Sequence, residues 1–168
     1  MKKFEILQHR IIALSQAETW KNAASEWGLL YIHMLDRGEQ LSCLCTHTPI
    51  VEICVIRNYI TESTAEVGNV CIKRFLGTNT SAMFKNIKKI MFDDSYAVNA
   101  ATQSYAYRRG WLDDWQYEFY QNTWHKRHLS YKRLFQRQRA NKNIIDGFNR
   151  DKSRQRLTDS KPSPILQA

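Results

Sequence analysis

The chain contains no apolar run approaching the roughly 18 to 20 residues that a membrane-crossing helix needs, so no helical span is expected. Its start, Met1-Lys2-Lys3-Phe4-Glu5-Ile6-Leu7, is basic and then apolar, but Gln8, His9 and Arg10 interrupt the run. No small-residue cleavage site follows. A lipidation signal is missing as well, and a cytoplasmic location is the expectation. Catalytic signatures are equally scarce. Nothing resembles the H-x-E with P-C-x-x-C of zinc deaminases, and no paired carboxylates or His-Asn-His set accompanies the cysteines. An enzyme is therefore not expected, with a hydrolase or nuclease ranked last. Acid is nearly absent from one stretch: between Asn122 and Leu157 only Asp146 and Asp151 stand against eleven Lys and Arg.

What is present suits one folded domain. Of 168 residues 43% are hydrophobic, and five Trp, eight Tyr and seven Phe are enough to pack a core. After Phe148 the composition turns to Arg, Lys, Asp, Ser, Gln and Pro. The expected organisation is one domain over 1–149 and a basic, disordered tail over 150–168.

Residues 1–14 fit either a helix or a strand. Ser15-Gln16-Ala17-Glu18 reads as a capping box. Trp20, Ala24, Trp27, Tyr31 and Met34 then recur at helical spacing, which predicts an amphipathic helix ending near Gly38. The β-branched, alternating run 51–57 predicts a strand, and a polar turn leads to a short return strand over 65–70. Cys71 to Leu76 predicts a helical turn stopped at Gly77. Farther on, Met83, Phe84, Ile87, Ile90 and Met91 mark a helix, and Asp93-Asp94-Ser95 predicts the start of another over 96–109. Asp113 and Asp114 open a third, with Leu112, Trp115 and Phe119 on its buried face. Ser130 opens the last, which is expected to stop at Gly147.

The cysteines carry the most specific signal. In a reducing compartment they are more often ligands or buried thiols than disulfides. Cys43 and Cys45 form one close pair, and Cys71 follows Gly68, where a missing side chain permits close backbone approach. Soft thiolates in two clusters suit a tetrahedral structural zinc, although C-x-x-C is the commoner spacing. His47 is the expected fourth ligand. Cys54 is the alternative, or else a buried thiol. A catalytic zinc would need an open position and a general base, and Glu52 is the only carboxylate close by in sequence.

Cys43-Leu-Cys45-Thr-His47, Ile56-Arg-Asn58 and Val67-Gly68-Asn69-Val70-Cys71-Ile72-Lys73-Arg74-Phe75 resemble a family of small zinc-ribbon-like proteins of unassigned function. Its members come from bacteriophage, prophage and plasmid genomes. Their pattern runs C-x-C-(G/S)-H, I-x-N-x-x-(T/N)-G and V-G-N-x-C-(I/V)-K-(R/K)-F. Gly110 to Trp115 and Phe119 to Ser130 look like the family's helical continuation, so the resemblance spans roughly residues 20–145. It implies a bound metal, a mobile-element origin and a bacterial host cytoplasm, but no activity. Two positions depart from it: Thr46 replaces Gly or Ser, and Glu62-Ser63 stands where the hairpin usually has its Gly.

The basic stretch carries a charge of +9, and the rest of the chain is neutral. Arg133, Arg137 and Lys142 fall near one side of a helix, flanked by Lys132 and Arg139, with Lys126 and Arg127 just before it. Cations repeating about once per turn suit successive phosphates. Gln136, Gln138, Asn141 and Asn143 can bond to phosphates or base edges, and Tyr131 and Phe135 can stack on unpaired bases. His125 and His128 read as surface residues. A well-mixed solvated surface would intersperse both signs, so nucleic acid is the expected partner and an acidic protein the runner-up. Membrane attachment is not expected, because the segment lacks a broad apolar face.

The expectation is an α+β fold, a zinc-stapled β-hairpin against a mainly helical bundle. Its expected function is that of a zinc-binding, nucleic-acid-binding accessory protein of a phage or mobile element. The alternative is a protein-docking module using the aromatic surface from Trp111 to Trp124.

Overall fold

The computed structural model describes residues 2–159, with side chains as far as Arg154. The protein is α+β: a small three-stranded antiparallel sheet, with most of the remainder helical. Two compact units form, Met1–Phe84 and Lys85–Ala168. Among the described residues no helix is long and apolar enough to cross a membrane.

The first unit opens with α1 (Lys3–Ala13), which resolves the ambiguity of that segment in favour of helix and buries Leu7 and Ile11. The predicted helix over 20–34 is corrected. Only α2 (Trp20–Ser25) is helical, and Trp27–Met34 forms strand β1. No capping box forms at Ser15: its hydroxyl donates to the Ile11 carbonyl and accepts the Trp27 indole N–H at 2.8 Å. Glu26 takes the local N–H groups instead, accepting from Gln16 and Ala17 and from the Asn58 side chain at 2.7 Å.

Strand β2 (Glu52–Asn58) lies between β1 and β3 (Thr64–Val67). It pairs Trp27 with Asn58 and Met34 with Glu52 on one side, and Cys54 with Val67 on the other. As the middle strand it is covered on both faces, so Ile53, Cys54, Val55 and Ile56 are all buried. The β2–β3 pairing forms the expected hairpin, but the return strand ends at Val67 and residues 69–70 already belong to the next helix. Asn58 shapes the hairpin turn by accepting the N–H groups of Ile60 and Thr61. Helix α3 (Asn69–Leu76) follows and ends where expected, on Gly77 at φ +70°. Phe4, Trp20, Phe75 and Trp27 form a chain of ring contacts that joins α1, α2, α3 and β1.

Helix α4 (Thr80–Phe92) buries Met83, Phe84, Ile87 and Ile90 as their spacing predicted, while Met91 is 41% exposed. In the second unit, Asp93-Asp94-Ser95 makes a turn rather than a helix start. Asp93 accepts both the N–H and the hydroxyl of Ser95, while the buried Asn141 amide donates to the carbonyls of Asp94 and Tyr96. Helix α5 (Ala100–Arg108) starts later, capped by Asn99, and the chain then turns at Gly110. A capping box of Asp113 with Gln116 opens α6 (Asp114–Thr123). Its buried residues are Gln116, Tyr120 and Thr123, whereas Trp115 is 55% exposed, a correction to the predicted face.

Helix α7 (Tyr131–Asp159) passes through Gly147 without stopping. That glycine lets the helix approach Trp111: a Cβ there would meet the indole at 2.3 Å. Asp151, beyond the expected boundary at 150, receives Arg109 at 2.6 Å. Of the predicted tail, residues 160–168 lie outside the described residues.

Candidate functional site

The cysteine cluster is built by a tight loop and a helix start. An isolated bridge between Leu41 and Ile50 closes the loop, and the Leu44 N–H donates to Glu66 on β3. Inside it the Thr46 N–H donates to the Cys43 carbonyl at 2.7 Å, and the Cys43 N–H donates to the His47 carbonyl at 2.8 Å. The chain reverses within these few residues because Thr46 takes φ +70°, a left-handed conformation unusual for a β-branched residue. Gly68, just before α3, lets the backbone press against Ile50, where a Cβ would lie 3.2 Å from that side chain. Its N–H points at the Cys43 sulfur, 3.3 Å away. Cys71 sits in the first turn of α3, whose dipole favours negative charge.

The sulfurs of Cys43, Cys45 and Cys71 consequently all lie within 4.8 Å of one another. Zinc–sulfur bonds of about 2.3 Å in tetrahedral geometry put ligand sulfurs about 3.8 Å apart, so small side-chain adjustments would suffice to hold a metal ion. Electrostatics agree with that use. A hydrogen bond from Cys71 and the N–H groups of Cys45 and Gly68 pull the Cys43 thiol down to about 5, although burial opposes them. The same hydrogen bond, together with burial, pushes the Cys71 thiol up. A cluster that already stabilises one thiolate with its neighbours' protons is one from which a divalent cation can displace those protons.

The other two candidate ligands are placed differently. His47 is exposed, and its Nδ1 accepts from Lys3 Nζ at 2.9 Å rather than joining the sulfurs. It does line the same cavity, of about 460 Å³, with the three cysteines, Lys3, Arg74 and Glu52. Cys54 is a core thiol. It contacts Thr80 Oγ1 at 3.3 Å, and burial pushes it up to about 12, against the thiolate that a metal requires.

The basic positions divide by burial. Lys126, Arg127, Lys132, Arg133, Arg139 and Lys142 are exposed, with Lys142 paired to Asp146 at 2.9 Å. Arg137 is not on that face. It is 5% exposed and donates from Nη2 to the Thr123 carbonyl at 2.7 Å, which removes it from phosphate contact. Tyr131 and Phe135, at 86% and 51% exposed, are free of the core, as stacking requires. Trp111 is buried on Tyr105 and Phe148 and cannot serve the aromatic docking surface. Asn122, lining a groove beside Trp115 and Phe119, was not among the sequence candidates. Its spacing from both on one helix was the available signal.

No family model, curated protein or solved structure matches the chain.

Proposed function

We propose that the protein is a metal-stapled, nucleic-acid-binding accessory factor of a phage or mobile element. Cys43, Cys45 and Cys71 hold one structural zinc, and His47 turns from Lys3 to supply the fourth ligand. The observation that carries this reading is the convergence of three sulfurs from two separate segments, one of them on a helix start. Zinc would supply folding free energy by tying the Cys43–Cys45 loop to the start of α3, two segments far apart in sequence. Exposed cations on and before α7 contact phosphates, supported by the one-sided charge of that stretch.

The test is metal analysis joined to a salt-series binding assay on DNA and RNA. One zinc per chain, with log affinity falling against log salt at a slope of about −3 to −5, is expected if four to six of these cations meet phosphates. Absence of zinc removes the first half of the reading, and salt-independent or absent binding removes the second.

A protein partner is the second reading. It is favoured by Phe92, 96% exposed, beside a groove of about 790 Å³ lined also by Met91, Phe135 and Ile145. It predicts a pull-down that survives nuclease treatment.

A further inference from the structure

Helix α6 turns Gln116, Tyr120 and Thr123 inward, and its other face carries Trp115, Phe119 and Asn122 at successive helical turns. Lys126, three residues past the helix end, and Arg133 of α7 reach the same groove. These five, with Glu118 and Thr123, line a groove of about 260 Å³. Its two rings are already stacked, with centroids 5.5 Å apart and planes within 15°. With Phe119 half-buried beneath it, the exposed Trp115 presents a flat π-face to which a further ring can add. Burial in the protein core does not account for it, since Trp115 is 55% exposed.

We infer that this groove is a base-stacking subsite for single-stranded nucleic acid, an inference that rests on the nucleic-acid reading above. Three features of the groove carry it. The π-face of Trp115 suits a nucleobase, and only an unpaired base has its own face free to meet it. Asn122 offers a donor and an acceptor to the edge of the stacked base. Lys126 and Arg133, with the exposed Arg127 and Lys132 beside them, provide cations for the phosphates that flank that base. Glu118 is the one carboxylate in the groove, so the backbone runs along the Lys126 and Arg133 side. A duplex would gain the phosphate contacts but not the stacking, because its bases are covered by one another.

Fluorescence anisotropy with labelled twelve-nucleotide oligo-dT, oligo-U and a DNA duplex of the same length tests this. Both single strands, or whichever of the DNA and RNA forms is the natural ligand, are expected to bind at least tenfold tighter than the duplex. Trp115→Ala should weaken single-strand binding about tenfold or more while leaving the salt slope unchanged. Trp115→Phe should retain most of the affinity but lose part of the fluorescence quench on binding. Lys126→Glu with Arg133→Glu should lower the salt slope. Because Trp115 is exposed, the fold should be undisturbed, which circular dichroism will verify. Equal binding of duplex and single strand, or an unchanged affinity in Trp115→Ala, overturns the subsite and leaves the wider nucleic-acid reading standing. Failure of all three probes to bind at low salt overturns both.

Discussion

Replacing Gly147 with alanine sets two physical effects against each other. In a helix interior the substitution should stabilise by roughly 0.5–1 kcal/mol, because glycine loses more backbone freedom on folding. Here the new Cβ would lie 2.3 Å from the Trp111 indole. Trp111 is only 3% exposed and sits edge-on to Tyr105 and Phe148, so the ring has no open side to move into. Overpacking a filled core costs about 1–3 kcal/mol, and this contact with a large buried ring belongs toward the upper end. Net destabilisation of about 1–2 kcal/mol follows, or a fall of about 2–8 °C in Tm. Gly28→Ala is the matched control. Its Cβ would approach the Tyr59 ring equally closely, but Tyr59 is 65% exposed and can swing away, so the change should stay within about 0.5 kcal/mol. Thermal and urea unfolding measure both variants. A Gly147→Ala protein as stable as the parent, or a Gly28→Ala protein that falls as far, would refute the reasoning.

The remaining predictions concern the cluster, its loop and one buried acid. Cys71→Ser should abolish zinc binding and lower stability by several kcal/mol, whereas Cys54→Ala should keep the metal and cost roughly 1 kcal/mol, as metal analysis and urea melts will show. Thr46→Gly should stabilise by about 0.5–1 kcal/mol, since relief of the left-handed φ exceeds glycine's added unfolded-state entropy; the urea midpoint should rise with an unchanged m-value. Glu26 is held below the usual carboxylate range, first by the Asn58 amide and also by the Gln16 and Ala17 N–H groups. Its contribution is therefore present above the unfolded-state pKa near 4.3 and lost as pH falls through the lower folded value. Glu26→Gln should be less stable than the parent at pH 7, and the difference should shrink in urea melts below about pH 4.

Elements whose signals are local were legible in the sequence. The α4 periodicity, the Gly77 stop, the β2–β3 hairpin and the acid start of α6 each depend on residues within one turn or one strand. Trp20 to Met34 misled because its apolar spacing suits a helix, while its state is fixed by pairing with β2, a partner distant in sequence. A register shift between Leu29 and Tyr31 further blurs the alternation that would have marked a strand. Arg137 misled by charge, yet it falls on the helical row with Ala140, Asn141, Ile144 and Phe148, all buried. That row was the signal for its burial. In the cysteine cluster, spacing correctly grouped Cys43, Cys45 and Cys71, but which way His47 faces depends on Lys3, forty-four residues earlier. Thr46, where Gly or Ser was expected, and Glu62, in the Glu62-Ser63 pair that stands in place of a glycine, are the two non-glycine residues with positive φ among the described residues.

Native mass spectrometry of the untagged protein, prepared without added metal and again after dialysis against zinc, measures directly whether the cysteine cluster holds a metal ion. One zinc per chain is expected, retained by Cys54→Ala and lost from Cys71→Ser, with its removal by chelator lowering the unfolding midpoint. A protein that stays metal-free under both conditions, with the same midpoint in zinc and in chelator, would contradict that expectation and leave the three thiols as part of an ordinary core.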